Sequence, residues 1–162
     1  MGLYMIVPLG VGAITGSLVI PKLLSKGIRK KIIVDNSILL MTLSFFSVIF
    51  LLPMLNDSLS MIFGFVSMFI VGLTFIGILI PSQTLLQEVT PGGMRGRVFG
   101  NFWFITTVIT MFPVIFSGAI SELFGIRVLL FIVAGVLFAV WIFSNTNGDK
   151  FIKNGLDYKK YV

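Results

Sequence analysis

Residues 87–100, QEVTPGGMRGRVFG, set a carboxylate and two guanidinium groups among glycines between long apolar runs. Glu88 supplies a carboxylate. Arg95 and Arg97 supply guanidinium groups. Gly92, Gly93, Gly96 and Gly100 loosen the backbone around Pro91. Residues of these types can cradle a phosphate, bind RNA or join two buried helices. A phosphate loop ends in Gly-Lys-Ser/Thr after a strand, and that ending is absent. The Arg-Gly pairing occurs once and stands between long apolar runs, so it is not a nucleic-acid tract. An elbow between antiparallel helices remains. Thr90 is expected as the N-cap and Pro91 as the first residue of a short helical turn. Arg95 and Arg97 are expected to snorkel toward headgroups or to pair with Glu88.

Little else offers reactive chemistry. The 162 residues include no histidine and no cysteine. Thiol nucleophiles, histidine bases and Cys/His zinc sites are thereby excluded, and no enzyme activity, catalytic residue, metal or cofactor is expected. Asp35, Asp57, Glu88 and Glu122 all stand at the ends of apolar runs. A charge at mid-membrane usually marks an ion pathway, and these runs carry none.

The elements that must position the elbow are the runs themselves. Hydrophobic residues make up 57% of the chain and charged residues 11%, against roughly 25% charged in ordinary globular chains. A water-soluble fold of this length cannot hide that much apolar surface. About 20 apolar helical residues cross a bilayer, and helices satisfy their own backbone there. The expected fold class is therefore an all-α integral membrane protein. Its five predicted transmembrane helices lie near 3–21, 33–55, 59–86, 98–120 and 127–144, followed by a basic tail, 149–162.

The charge pattern orients these helices. Of the 12 basic residues, all but Arg127 fall in segment 22–31, in the elbow or in the tail. The positive-inside rule puts those three segments, and so the C-terminus, in the cytoplasm of a multi-pass protein of the cell membrane. The net charge of +6 thus reflects a membrane surface, and no nucleic-acid partner is expected. Met1 falls outside without a basic leader region. One more helix before it would bring both ends inside, so the chain is expected to be the C-terminal part of a longer protein or the product of an internal start.

An internal echo accompanies this topology. TGSLVIPKLLSKGIRKK in the first run and SGAISELFGIRVLL in the fourth share a Gly, an amphipathic link and Gly-Ile-Arg. Gly16, Gly27 and Arg29 match Gly118, Gly125 and Arg127. The copies lie three helices apart and face opposite sides, as an inverted three-helix repeat requires.

On these residues the chain resembles the C-terminal half of a major facilitator superfamily exporter, from about helix 8 to helix 12. It is most similar to the macrolide-efflux and enterobactin-exporter-like branch. The elbow carries the likeness, with Gln83, Gln87, Val89, Pro91, Arg95, Gly96, Arg97 and Val98 at the positions of that branch's motif, and Glu88 within it. The resemblance implies part of a six-helix half with inverted three-helix repeats. It also implies secondary active efflux of a small amphipathic substrate by alternating access, as in multidrug or macrolide antiporters. The partners implied are the lipid bilayer and the missing N-terminal transporter half, in cis or as a separate chain. The polypeptide alone is then expected to be incomplete and inactive. The family's gating loop is echoed by Gly16, Gly27, Arg29, Lys30 and Lys31, but its Asp is missing here, and the basic residues are then expected to anchor the loop at anionic headgroups. The alternative is a free-standing five-helix membrane subunit or assembly component without transport activity.

Individual side chains refine these expectations. Gly12 and Gly16 form a GxxxG suited to close helix packing. Thr106, Thr110, Pro113 and Ser117 form one stripe along the fourth run and, with Thr74, are substrate-cavity candidates; interhelical hydrogen bonding is the competing role. Gly72, Gly77 and Pro81 predict a kink near 78–81. The fifth run is apolar all round and suits a lipid-facing helix, with Trp141 as an interfacial anchor. The second run is expected at the periphery as well, although it carries Ser37, Thr42, Ser44 and Ser47.

Overall fold

The computed structural model describes residues 2–158, with side chains described for residues 6–56 and 58–146. Residues 159–162 of the basic tail lie outside the described residues. Five helices account for nearly the whole described chain: α1 (Gly2–Ser25), α2 (Lys30–Leu51), α3 (Asp57–Val89), α4 (Arg95–Phe124) and α5 (Ile126–Tyr158). Short 3₁₀ turns at Leu52–Met54 and Gly92–Met94 follow α2 and precede α4. No strand occurs among the described residues. All five helices are long and apolar enough to cross a membrane.

Local chemistry explains the ends. Gly27 and Gly125 are the only described residues with positive φ, at +81° and +82°. A residue with a Cβ is strained there. Gly125 closes α4 by donating its N–H to the Ser121 carbonyl at 3.1 Å. Gly27 closes the last turn of α1 with a tighter bond, donating three residues back to Leu24 O at 3.1 Å where Gly125 donates four back. The two Gly-Ile-Arg copies therefore share a left-handed glycine at a helix-to-helix turn. Helix starts differ, since α5 begins directly after Gly125 whereas Arg29 caps α2 two residues beyond Gly27.

The packing order differs from the chain order. Both α1 and α2 pack on α3 and not along one another. On its other flank α2 meets α5, and α5 meets α4. Glycine sets the closest approach. A Cβ built on Gly12 would fall 2.1 Å from the Phe69 carbonyl oxygen, and one on Gly72 would fall 2.1 Å from that of Leu9. Gly16 sits against Leu73 O and Ile76. Backbone thus meets backbone between α1 and α3, where dispersion between closely apposed helices replaces the hydrophobic effect that lipid cannot supply.

Helix α2 is not peripheral. It lies between α3 and α5, and Ser37, Thr42 and Ser44 are buried. Ser44 Oγ donates to the Ser67 carbonyl of α3 at 3.1 Å. Gly77 makes room for Ser37, whose Oγ lies 2.2 Å from where a Cβ would stand. Ser37 and Ser44, which looked out of place in a lipid-facing helix, line its contact with α3, whereas Thr42 and Ser47 bond carbonyls of α2 itself. Toward α5 the contact is aromatic, with the Phe50 and Phe131 rings edge to face at 5.7 Å.

Helix α3 continues through Pro81, which is fully buried. Helix α4 is the opposite case: it contains no buried residue, and large side chains such as Phe104, Phe112 and Val114 are exposed. In lipid such surface carries no penalty.

Candidate functional site

The residues with ionic chemistry meet at the end of the bundle where α2 begins and α3 ends. Lys30, the first residue of α2, forms an ion pair with Glu88, near the last residue of α3. The two residues are 58 positions apart in sequence. Five residues further along α2, Asp35 Oδ1 accepts a hydrogen bond from Ser144 Oγ of α5 at 2.5 Å. Five residues turn a helix by about 140° beyond a full turn, so the two side chains reach different neighbours. The first turns of α2 are therefore tied to α3 on one flank and to α5 on the other.

Locally, the elbow folds one residue later than its sequence implies. Thr90 caps the C-terminus of α3 instead of starting a new turn. Its N–H and its hydroxyl both donate to the Leu86 carbonyl, at 3.2 and 2.7 Å. Pro91 stands before the 3₁₀ turn, not inside it. The partner of Glu88 is also corrected. It is Lys30 of a distant helix and not an arginine of its own loop; Arg95 Nε donates to Thr90 O at 3.4 Å instead. An arginine seven or nine positions on must fold back across the turn, whereas Lys30 arrives already aligned by the α2–α3 contact.

The remaining motif residues flank this clasp. Gln83 is half-buried, and Gln87, Pro91, Gly96 and Arg97 are exposed. Gly27 forms the left-handed turn, and exposed Arg29 caps α2. Gly16 does not belong to the loop: it lies inside α1 against α3 and acts in packing.

The hydroxyl candidates do not converge. Thr74 is 1% exposed and donates to Ile70 O and Val71 O of its own helix. Thr106, Thr110 and Ser117 likewise bond carbonyls of α4, at 2.7 to 2.9 Å for the shortest contact of each; Thr110 is exposed, and Thr106 and Ser117 are half-buried. Among the described residues no three His, Cys, Asp or Glu gather as metal ligands.

No family model, curated protein or solved structure matches the chain. What the site can do must therefore be taken from its own geometry. The Glu88 side chain is 58% exposed and that of Lys30 26%. A pair so open to solvent stabilises by up to about 1 kcal/mol. It is strong enough to favour one arrangement of the helix ends and weak enough to part. The hydrogen bond from Ser144 to Asp35 is more sheltered and charge-assisted.

Sequence reasoning missed Ser144, Ser67 and the pairing of Ser37 with Gly77. The available signal was the row of hydroxyls in the second run, although the hydroxyls of α4 show that such a row also occurs on an unburied helix.

Proposed function

We propose that the chain is part of a secondary active multidrug or macrolide-type efflux transporter of the major facilitator superfamily, working by alternating access. The observation that carries this reading is the Lys30–Glu88 pair. It joins the two loops singled out by the resemblance, 22–31 and 87–97, at one end of the bundle. Alternating access rocks two halves around a midplane site, and each half must keep its own helix ends in register as it moves. An ion pair between the start of α2 and the end of α3 supplies such a tie within one half, at little cost.

Two further features support the reading. The matching left-handed glycines, Gly27 and Gly125, recur three helices apart, as inverted three-helix repeats would place them. The stripe Thr106, Thr110 and Ser117 lies on a helix with no buried residue, so a cavity on that side needs helices supplied in cis or by a separate chain. On this reading the polypeptide does not transport alone. The exposed α4 also fits a free-standing five-helix membrane subunit.

Deleting the coding sequence in its source cell and measuring uptake of macrolides and amphipathic cationic dyes by energised cells tests the proposal. Accumulation is expected to rise, and the intact gene to restore it. Lys30→Glu and Glu88→Lys should each restore less than the charge-swapped pair. Unchanged accumulation across the panel would leave the subunit reading. Energy-dependent dye export by this chain alone, in a host stripped of its own pumps, would refute its incompleteness.

A further inference from the structure

The Lys30–Glu88 pair does more than join two helices: it pins two basic segments into one surface. Lys22, Lys26 and Arg29 from one segment are exposed, as are Arg95 and Arg97 from the other. Of the two carboxylates near this surface, Glu88 is paired with Lys30, and Asp35 is turned toward Ser144 of α5. The exposed cations outnumber them, and a net positive field results. Ile28, Ile32, Val89 and Met94 are exposed between these cations.

We propose that the two segments form a single composite site for anionic phospholipid, with the cations on the headgroup phosphate and the apolar residues against the acyl chains. Depth supports this occupant, because the patch lies at the ends of helices long enough to span the hydrocarbon. Lysine and arginine stems reach from there to headgroup level. Charge supports it as well, since basic clusters beside transmembrane helices attract anionic lipids. The interleaved apolar side chains decide against a soluble polyanion, which would leave them in water, whereas a phospholipid covers both kinds of surface at once. The site is independent of any transport activity.

The test uses the full chain in phosphatidylcholine vesicles with spin-labelled lipid probes. Association of labelled phosphatidylglycerol is measured against labelled phosphatidylcholine by electron paramagnetic resonance. A several-fold preference for phosphatidylglycerol is expected, weakening with salt. Lys26→Gln or Arg97→Gln should each reduce it by up to about fivefold. The double substitution should be non-additive, because both cations act on one headgroup. Strict additivity would mean two separate loops and would overturn the composite site. So would the absence of any preference, or an equal loss on Arg127→Gln at the other end or on Lys159→Gln with Lys160→Gln in the tail. Displacement by excess inorganic phosphate at constant ionic strength would indicate a free-anion site instead. These positions are surface or tail residues, and circular dichroism should show unchanged helix content.

Discussion

Gly12 of α1 lies directly under the carbonyl of Phe69 of α3, with no room for a methyl group between them. The contact is reciprocated about one turn away, where Gly72 lies under the carbonyl of Leu9. Gly10, on the same helix as Gly12, faces nothing within 4 Å. Gly12→Ala must therefore push two backbones apart and should destabilise by about 1–3 kcal/mol. Gly10→Ala should be neutral or stabilising, since alanine favours helix by about 1 kcal/mol over glycine. Unfolding in mixed detergent, followed by circular dichroism, distinguishes the two. Equal behaviour would mean that α1 and α3 are not in backbone contact.

The α2–α3 contact makes a sharper prediction, because there a side chain fills the gap. Ser37 Oγ occupies the space where a Cβ of Gly77 would stand. Gly77→Ala alone should destabilise. Combined with Ser37→Gly it should recover part of the loss, giving a coupling of about 0.5–3 kcal/mol in a double-mutant cycle. Additive effects would place these residues apart.

The absence of cysteine makes the clasp directly testable. Lys30→Cys with Glu88→Cys should cross-link efficiently with a short bifunctional thiol reagent in membranes. Arg97→Cys with Lys30→Cys should react more slowly, because Arg97 lies beyond the elbow, outside the α2–α3 contact that aligns Lys30 with Glu88. Comparable rates would refute the pairing.

The two turn glycines should be equally intolerant. Gly27→Ala and Gly125→Ala each force a Cβ into the left-handed region and should cost about 1–2 kcal/mol. Gly93→Ala, in the elbow, meets no neighbour and has no such backbone requirement, so it should change stability little. Thermal unfolding of the three variants measures this.

Hydroxyl removal separates α4 from α2. Thr110→Val should shift stability by no more than about 0.5 kcal/mol, because its hydroxyl serves its own helix. Ser44→Ala breaks the bond to Ser67 O and should cost about 0.6 kcal/mol or more, as interhelical bonds in membranes do. A Thr110→Val variant much less stable than Ser44→Ala would mean that α4 is packed against protein.

Five long apolar helices, and carboxylates kept to their ends, were legible in the residues alone, because run length and the cost of an unpaired backbone in lipid leave few choices. Gly-Ile-Arg marked Gly27 and Gly125 as an echoed pair, but their positive φ at the helix ends came only with the structure. Which helix meets which was not legible. In lipid an apolar surface carries no preference for a partner, so periodicity cannot say that α2 sits between α3 and α5. Small features decide it: Gly12 and Gly72 by admitting a backbone, Ser37 by filling the space at Gly77, Ser44 by donating to Ser67. The same holds for the clasp. The sequence placed Lys30 and Glu88 on one side of the membrane, and only the docking of α2 on α3 made them partners across 58 residues.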